Sequence, residues 1–127
     1  MGQQILLDST VIIAALREND IHFEDAREIF MSSGKSSLAI SAITLTESLI
    51  RPNELGAVHA TRAESKIRNL IGTIYPFDSD MAVLSAKIRF AHKTKIPDAI
   101  IIATAIVTGS SLVSFDRKMM GIYERIK

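Results

Sequence analysis

The chain has no cysteine among its 127 residues. Disulfides, thiolate metal ligands and a cysteine nucleophile are therefore excluded, and the composition fits a reducing compartment. Tryptophan is absent too, and aromatics make up only 6%, so any core is built from Ile, Leu, Val and Ala. Neither sign of charge dominates: fifteen basic residues meet fourteen acidic ones, for a net charge of +1. Total charge gives no reason to expect a nucleic-acid partner, and any basic footprint must be local. Long hydrophobic runs are missing. The longest, Ala99 to Val107, is interrupted by Thr104 and falls far short of the about 20 apolar residues a spanning helix needs. It reads as a buried core helix, with no membrane association. Met1 to Leu7 lacks the basic segment and apolar run of a secretory signal. A soluble, cytoplasmic protein is the expectation. There is no Gly-rich phosphate loop and no Gly-x-Ser-x-Gly elbow, which removes support for a P-loop hydrolase or a serine hydrolase. The three histidines, His22, His59 and His92, share no ligand spacing.

What is present is an apolar content of 47%, enough to bury a core rather than remain disordered. The length suits one domain, 1–127, since domains most often run to roughly 100–150 residues. Ile5-Leu6-Leu7 reads as a buried strand, followed by capping residues and a short helix over 11–16. Residues 22–33 carry Phe23, Ala26, Ile29 and Phe30 at helical spacing. Residues 37–40 form a second strand, and Ser41 caps a helix through Leu49 that Pro52 ends. A polar helix from about Asn53 to Leu70 follows. Residues 73–77 form a third strand; Asp78 or Ser79 caps the next helix, which runs to about His92. Ile96-Pro97-Asp98 opens another helix, with proline well placed in the first turn, and Gly109 closes it. Residues 111–115 form a fourth strand, and the tail around Ile122-Tyr123 is a candidate fifth. Strands alternating with helices predict an α/β fold: a central parallel sheet of four to five short strands with helices on both faces. The strands are uniformly apolar, as expected when both sheet faces are covered.

Four of the fourteen acids stand in the wrong company. Asp8 lies between Ile5-Leu6-Leu7 and Val11-Ile12-Ile13. Glu47 is the only charge from Ser36 to Ile50. Asp98 opens an otherwise uncharged helix, and Asp116 follows Leu112-Val113-Ser114-Phe115. An ionised carboxylate taken from water costs several kcal/mol unless it is paired or bound to a metal. Each also has a plainer explanation: Asp8 as a helix cap, Glu47 as a surface residue, Asp98 as a first-turn acid, Asp116 as a turn residue beside Arg117. What favours a shared site is that all four fall in the most apolar segments, at positions a parallel sheet brings to one edge. With no His or Cys, the site is oxygen-only and suits Mg²⁺ or Mn²⁺. Such a site fits phosphodiester hydrolysis. Because ligands must be ionised, activity is expected to fall at low pH.

These residues resemble the PIN-domain family, and within it the toxin ribonucleases of VapBC toxin–antitoxin systems. Leu6-Leu7-Asp8-Ser9-Thr10-Val11-Ile12-Ile13 is similar to the family's first motif, and Ser41 to Leu49, with Thr46-Glu47, resembles its glutamate helix. Pro97-Asp98-Ala99-Ile100-Ile101-Ile102-Ala103-Thr104-Ala105 is the most specific match. Val113-Ser114-Phe115-Asp116 resembles the last motif. The resemblance implies a three-layer PIN fold and a magnesium-dependent endoribonuclease. It makes Asp8, Glu47, Asp98 and Asp116 the catalytic metal ligands, supported by Ser9 or Thr10. Two departures stand out: Lys118 replaces a second acid of the last motif, and Ser114-Phe115 replaces a Thr-Asn pair. Implied partners are the RNA substrate, a cognate VapB-like antitoxin and a second copy of the chain in a homodimer. Arg51, Lys93, Lys95, Arg117 and Lys118 lie near the acids in sequence and are the candidate substrate contacts, since RNA phosphates require cations. A non-catalytic RNA- or protein-binding module, or a processing nuclease outside a toxin system, are the alternatives.

Overall fold

A computed structural model describes residues 3–127. The first strand, β1 (Ile5–Leu7), is buried enough to explain why no polar residue interrupts it. Leu6 and Leu7 are both fully buried, yet in different clusters. That follows from the two-residue period of a strand, which sends neighbours to opposite faces. The strand is followed by α1 (Ser9–Leu16) and α2 (Phe23–Ser32), then β2 (Leu38–Ser41) after one 3-10 turn. Next come α3 (Ala42–Leu55), α4 (Ala57–Leu70), β3 (Thr73–Tyr75), α5 (Ser79–His92), α6 (Ile96–Thr108), β4 (Ser111–Val113) and α7 (Arg117–Ile126). The four strands are all parallel, in the order β3-β2-β1-β4.

Helices cover both faces, as expected. One layer gathers Leu7, Val11, Ile12 and Ala26 with Leu38, Ile40 and Ile67. The other gathers Leu6 and Ala39 with Ile88, Met119, Ile122 and the centre of α6. Every residue of α6 from Ala99 to Ala105 is buried, and each buried Ile or Leu contributes about 1.5–3 kcal/mol of hydrophobic stabilisation. The one hydroxyl in that run, Thr104, donates 2.7 Å to the Ile100 carbonyl, so it is not left unpaired. Gly109 ends the helix in the left-handed region at φ 68°, where a side chain would be strained. Helix α3 packs against both α1 and α6, and so it links the two layers at one end of the sheet.

Several sequence expectations need correction. The region around Ile122-Tyr123 is not a fifth strand but the middle of α7, because Met119, Ile122 and Tyr123 recur at helical spacing on the core. Pro52 does not end its helix: α3 runs through it to Leu55, and α4 begins at Ala57. Proline removes one backbone donor, but only one turn remains beyond it, and the Asn53 side-chain amide donates 2.8 Å to the Leu49 carbonyl. The stop is Gly56, at a φ of 127° that favours glycine. β3 ends at Tyr75 because Pro76 cannot donate to a ladder. β4 ends at Val113 because the next backbone donors turn to side chains of the site.

Candidate active site

The chain runs β1, β2, β3 to one side of the sheet and then returns to place β4 on the other side of β1. In open parallel sheets this reversal leaves a crevice beyond the carboxyl ends of the two diverging strands, where ligands bind. Asp8 immediately follows β1, and Asp116 follows β4 by three residues. Both acids therefore lie at the mouth of that crevice.

Asp8 is 1% exposed, so its charge must be met by protein. It is: as the cap of α1 it accepts from the Ser9 amide at 2.6 Å and the Thr10 amide at 3.4 Å. The hydroxyls of Thr10 and Ser114 add bonds of 2.7 Å and 2.6 Å to the same Oδ2. Such charge-assisted bonds offset the desolvation of a buried carboxylate. Ser114 also accepts from the Asp116 amide at 2.9 Å, and Thr10 Oγ1 accepts from the Phe115 amide at 3.1 Å. One hydroxyl thus ties Asp8 to the backbone of Asp116. Asp116 in turn caps α7, accepting from the amides of Lys118 and Met119 at 2.9 Å and 3.2 Å.

Glu47 comes from α3 and Asp98 from the first turn of α6. Burial raises the Glu47 carboxyl above its ordinary value; the charges of Asp8 and Asp98 push it further, while the Ser9 side chain and Lys95 pull it back. Burial is also the main cause at Asp98, reinforced by Asp116 and Asp8 and opposed by Lys95 and Lys118. Each of the two is therefore raised partly by the others, the behaviour of like charges facing a common space. Glu47 Oε1 is buried without a hydrogen-bond partner, an uncommon and costly state for a carboxylate oxygen. Among the described residues, no three acidic or histidine side chains form a ready-made metal cage. Asp8 and Asp116 are turned to their capping donors, while Glu47 has an oxygen left over. A hard, oxygen-only donor set with one such oxygen fits a divalent cation such as Mg²⁺ or Mn²⁺.

The supporting residues Ser9 and Thr10 stand against Asp8. The five cations are placed apart. Lys95 acts on both Glu47 and Asp98. Lys93, Arg117 and Lys118 line one cavity between α5 and α7. Arg51 lines a different groove, with Ile13 and Leu16 of α1 and Arg62 and Lys66 of α4. Ser114 is the residue sequence reasoning left without a role. Its signal was there, a hydroxyl between an apolar strand and an acid, but the bond to Asp8 spans 106 residues and no local pattern shows it.

Residues 5–124 match the PIN domain family. No curated protein matches the chain. Among solved structures, FitAcB from Neisseria gonorrhoeae is 27% identical, with a TM-score of 0.80, covering 95% of this chain and 94% of that one. A toxin–antitoxin complex from Klebsiella pneumoniae is 25% identical with a TM-score of 0.72, covering 92% and 90%. The Mycobacterium tuberculosis toxin VapC20, which cleaves the sarcin–ricin loop, shares the fold at 18% identity and a TM-score of 0.78, covering 93% and 94%.

Proposed function

We propose, for a chain that belongs to the PIN domain family, that it is a metal-dependent endoribonuclease and the toxin of a toxin–antitoxin pair. What supports this reading is that Asp8 and Asp116 follow the two strands that diverge where the strand order reverses, while burial and neighbouring acids raise the carboxyls of Glu47 and Asp98 and one Glu47 oxygen is buried without a partner. Asp8, Glu47, Asp98 and Asp116 are the residues to hold Mg²⁺ or Mn²⁺. When bound, the cation supplies Lewis acidity toward a phosphodiester and a more acidic attacking water. The rest is the work of the chain. Ser9 and Thr10 from α1 and Ser114 from just past β4 fix the Asp8 carboxylate in one orientation. Lys95 opposes the upward shifts of both Glu47 and Asp98 and would offer a counter-charge to a substrate phosphate.

The reading extends to the partners. RNA is the substrate. A VapB-like antitoxin is the cognate inhibitor, in keeping with the toxin–antitoxin complex among the similar structures. A homodimer would cover Val83, Phe90 and Ile96, apolar side chains that stand exposed on α5 and α6. The unit is a single domain over 1–127 in a cytoplasmic setting, which suits a chain without cysteine. Among the described residues no helix is long and apolar enough to cross a membrane.

The test is cleavage of a broad RNA panel by purified protein with Mn²⁺, with Mg²⁺ and with chelator. Divalent-dependent cutting that disappears in Asp98→Asn is expected. Uncut RNA together with no calorimetric binding of either ion would overturn the proposal.

A further inference from the structure

The end of α5 and one face of α7 flank an open depression of about 320 Å³. Its walls carry His92 at the end of α5, Lys93 just past it, and Arg117, Lys118 and Arg125 from α7, and no carboxylate lines it. The ion pairs among the described residues are His22–Asp25, Arg27–Glu24, Arg68–Glu64 and Lys127–Glu124. None of them includes a cation of this cavity. Four permanent positive charges thus line one space without an ion pair among them, and only Lys118 also faces a carboxylate, that of Asp98. An anion would relieve that repulsion.

Two residues leave this space to the cations. Lys93 is the one non-glycine among the described residues with positive φ, at 54°. Helices commonly end in this conformation on glycine or asparagine; here a lysine holds it and brings a charge to the cavity rim. Gly121 sits within α7, where glycine is a poor helix former. Its φ is not positive, and a Cβ there would meet only the Arg125 guanidinium, at 4.0 Å. Neither backbone nor packing requires glycine, but a larger side chain would project among the cations.

The cavity adjoins the carboxylates. Asp116 caps the same helix, and Lys118 acts on Asp98 from it. We propose that this cavity is a phosphate subsite that grips the backbone of the RNA strand beside the scissile bond. The proposal rests on the ribonuclease reading and deepens it. Arg117 and Arg125 would meet phosphate oxygens through their planar forks, and Lys93 and Lys118 as point charges. Contacts of this kind position a strand without reading its bases, so the subsite sets grip and register, and base preference is decided elsewhere.

The experiment is fluorescence anisotropy of a short single-stranded RNA on the full chain carrying Asp98→Asn, in chelator, from roughly 50 to 200 mM salt. Arg117→Ala/Arg125→Ala is expected to weaken binding roughly tenfold and to flatten the salt slope by about 1.4, near 0.7 per lost contact. Gly121→Glu, which removes no cation but adds an anion to the space, is expected to weaken binding as well. Arg27→Ala/Lys35→Ala, which removes two cations remote from the cavity, is expected to leave it unchanged. Unaltered binding in the first two variants overturns the subsite, and so does an equal loss in the third. Inorganic phosphate alone separates a free-anion site from a strand site: saturable shifts of the Arg117 and Arg125 side-chain resonances, with RNA affinity untouched by their removal, overturn the strand assignment. The two proposals fail separately. Protein that binds RNA through this cavity yet never cuts it removes the nuclease reading alone; protein whose cutting and binding ignore these variants removes the subsite alone.

Discussion

Replacing Ser114 by alanine tests the junction on which the crevice depends. The substitution deletes a donor 2.6 Å from the buried Asp8 Oδ2 and the acceptor of the Asp116 amide. A hydrogen bond to a charged group is worth about 1.5–3 kcal/mol and a neutral one near 1. Because Asp8 is 1% exposed, water cannot replace the lost donor without opening the structure, and the cost is expected to total about 2–4 kcal/mol. With roughly 2.1 cal/mol/K of unfolding entropy per residue, 127 residues convert this to a fall of about 7–15 °C in Tm. Thermal circular dichroism on metal-free protein, checked for reversibility, is the assay. Ser114→Thr, which keeps the hydroxyl, is expected to recover most of the loss. An alanine variant melting within about 2 °C of the parent, against that 7–15 °C, would show that the hydroxyl does not hold the two strand ends together.

Three further outcomes follow from the same geometry. Asp98→Asn is expected to melt no lower than the parent in chelator, and higher if anything, because it removes a desolvated charge facing Asp116 and Asp8; urea unfolding checks this. The pH dependence has a definite sign. Glu47 and Asp98 bind their protons more tightly folded than unfolded, so their contribution to metal-free stability is greatest below the ordinary values of 4.5 and 3.8 and is lost as pH rises through the raised ones. Saturating Mg²⁺ should reverse that trend, adding about 2.7 kcal/mol at a hundredfold excess over Kd and less in acid, where the ligands are protonated; melting curves across pH with and without the ion decide it. Gly72→Ala should destabilise by about 1–3 kcal/mol, since its Cβ would stand 2.6 Å from the Lys35 carbonyl oxygen, a backbone atom that cannot swing aside.

The elements that sequence reasoning placed well are those whose burial is two-sided. Ile5-Leu6-Leu7 and the run from Ala99 to Ala105 have no polar face to misread. Asp8 and Asp116 were legible as neighbours because each follows a buried strand, and parallel strands present their ends together. Glu47 was legible only as a lone charge in apolar surroundings; its place follows from α3 packing on both α1 and α6, which no local pattern encodes. The tail was misread because Ile122-Tyr123 is too short a run to show a period by itself. The signal that would have corrected it was the Asp116 cap, which commits the next residues to a helix. Strand order was beyond reach, since alternation of elements fixes the crossovers but not the side of β1 on which β4 inserts. Nearness in sequence groups the five cations with the acids, whereas the structure divides them among three places.

A domain folds as a unit, so a site assembled from both ends of one waits for the later end to be made. Asp8 is synthesised 106 residues before the serine hydroxyl that steadies it, and β4 must first slip in beside β1. Until that serine has been made, the first acid exists without the hydroxyl that orients it, so the two ends of the site become one only when the later part of the domain is there to fold.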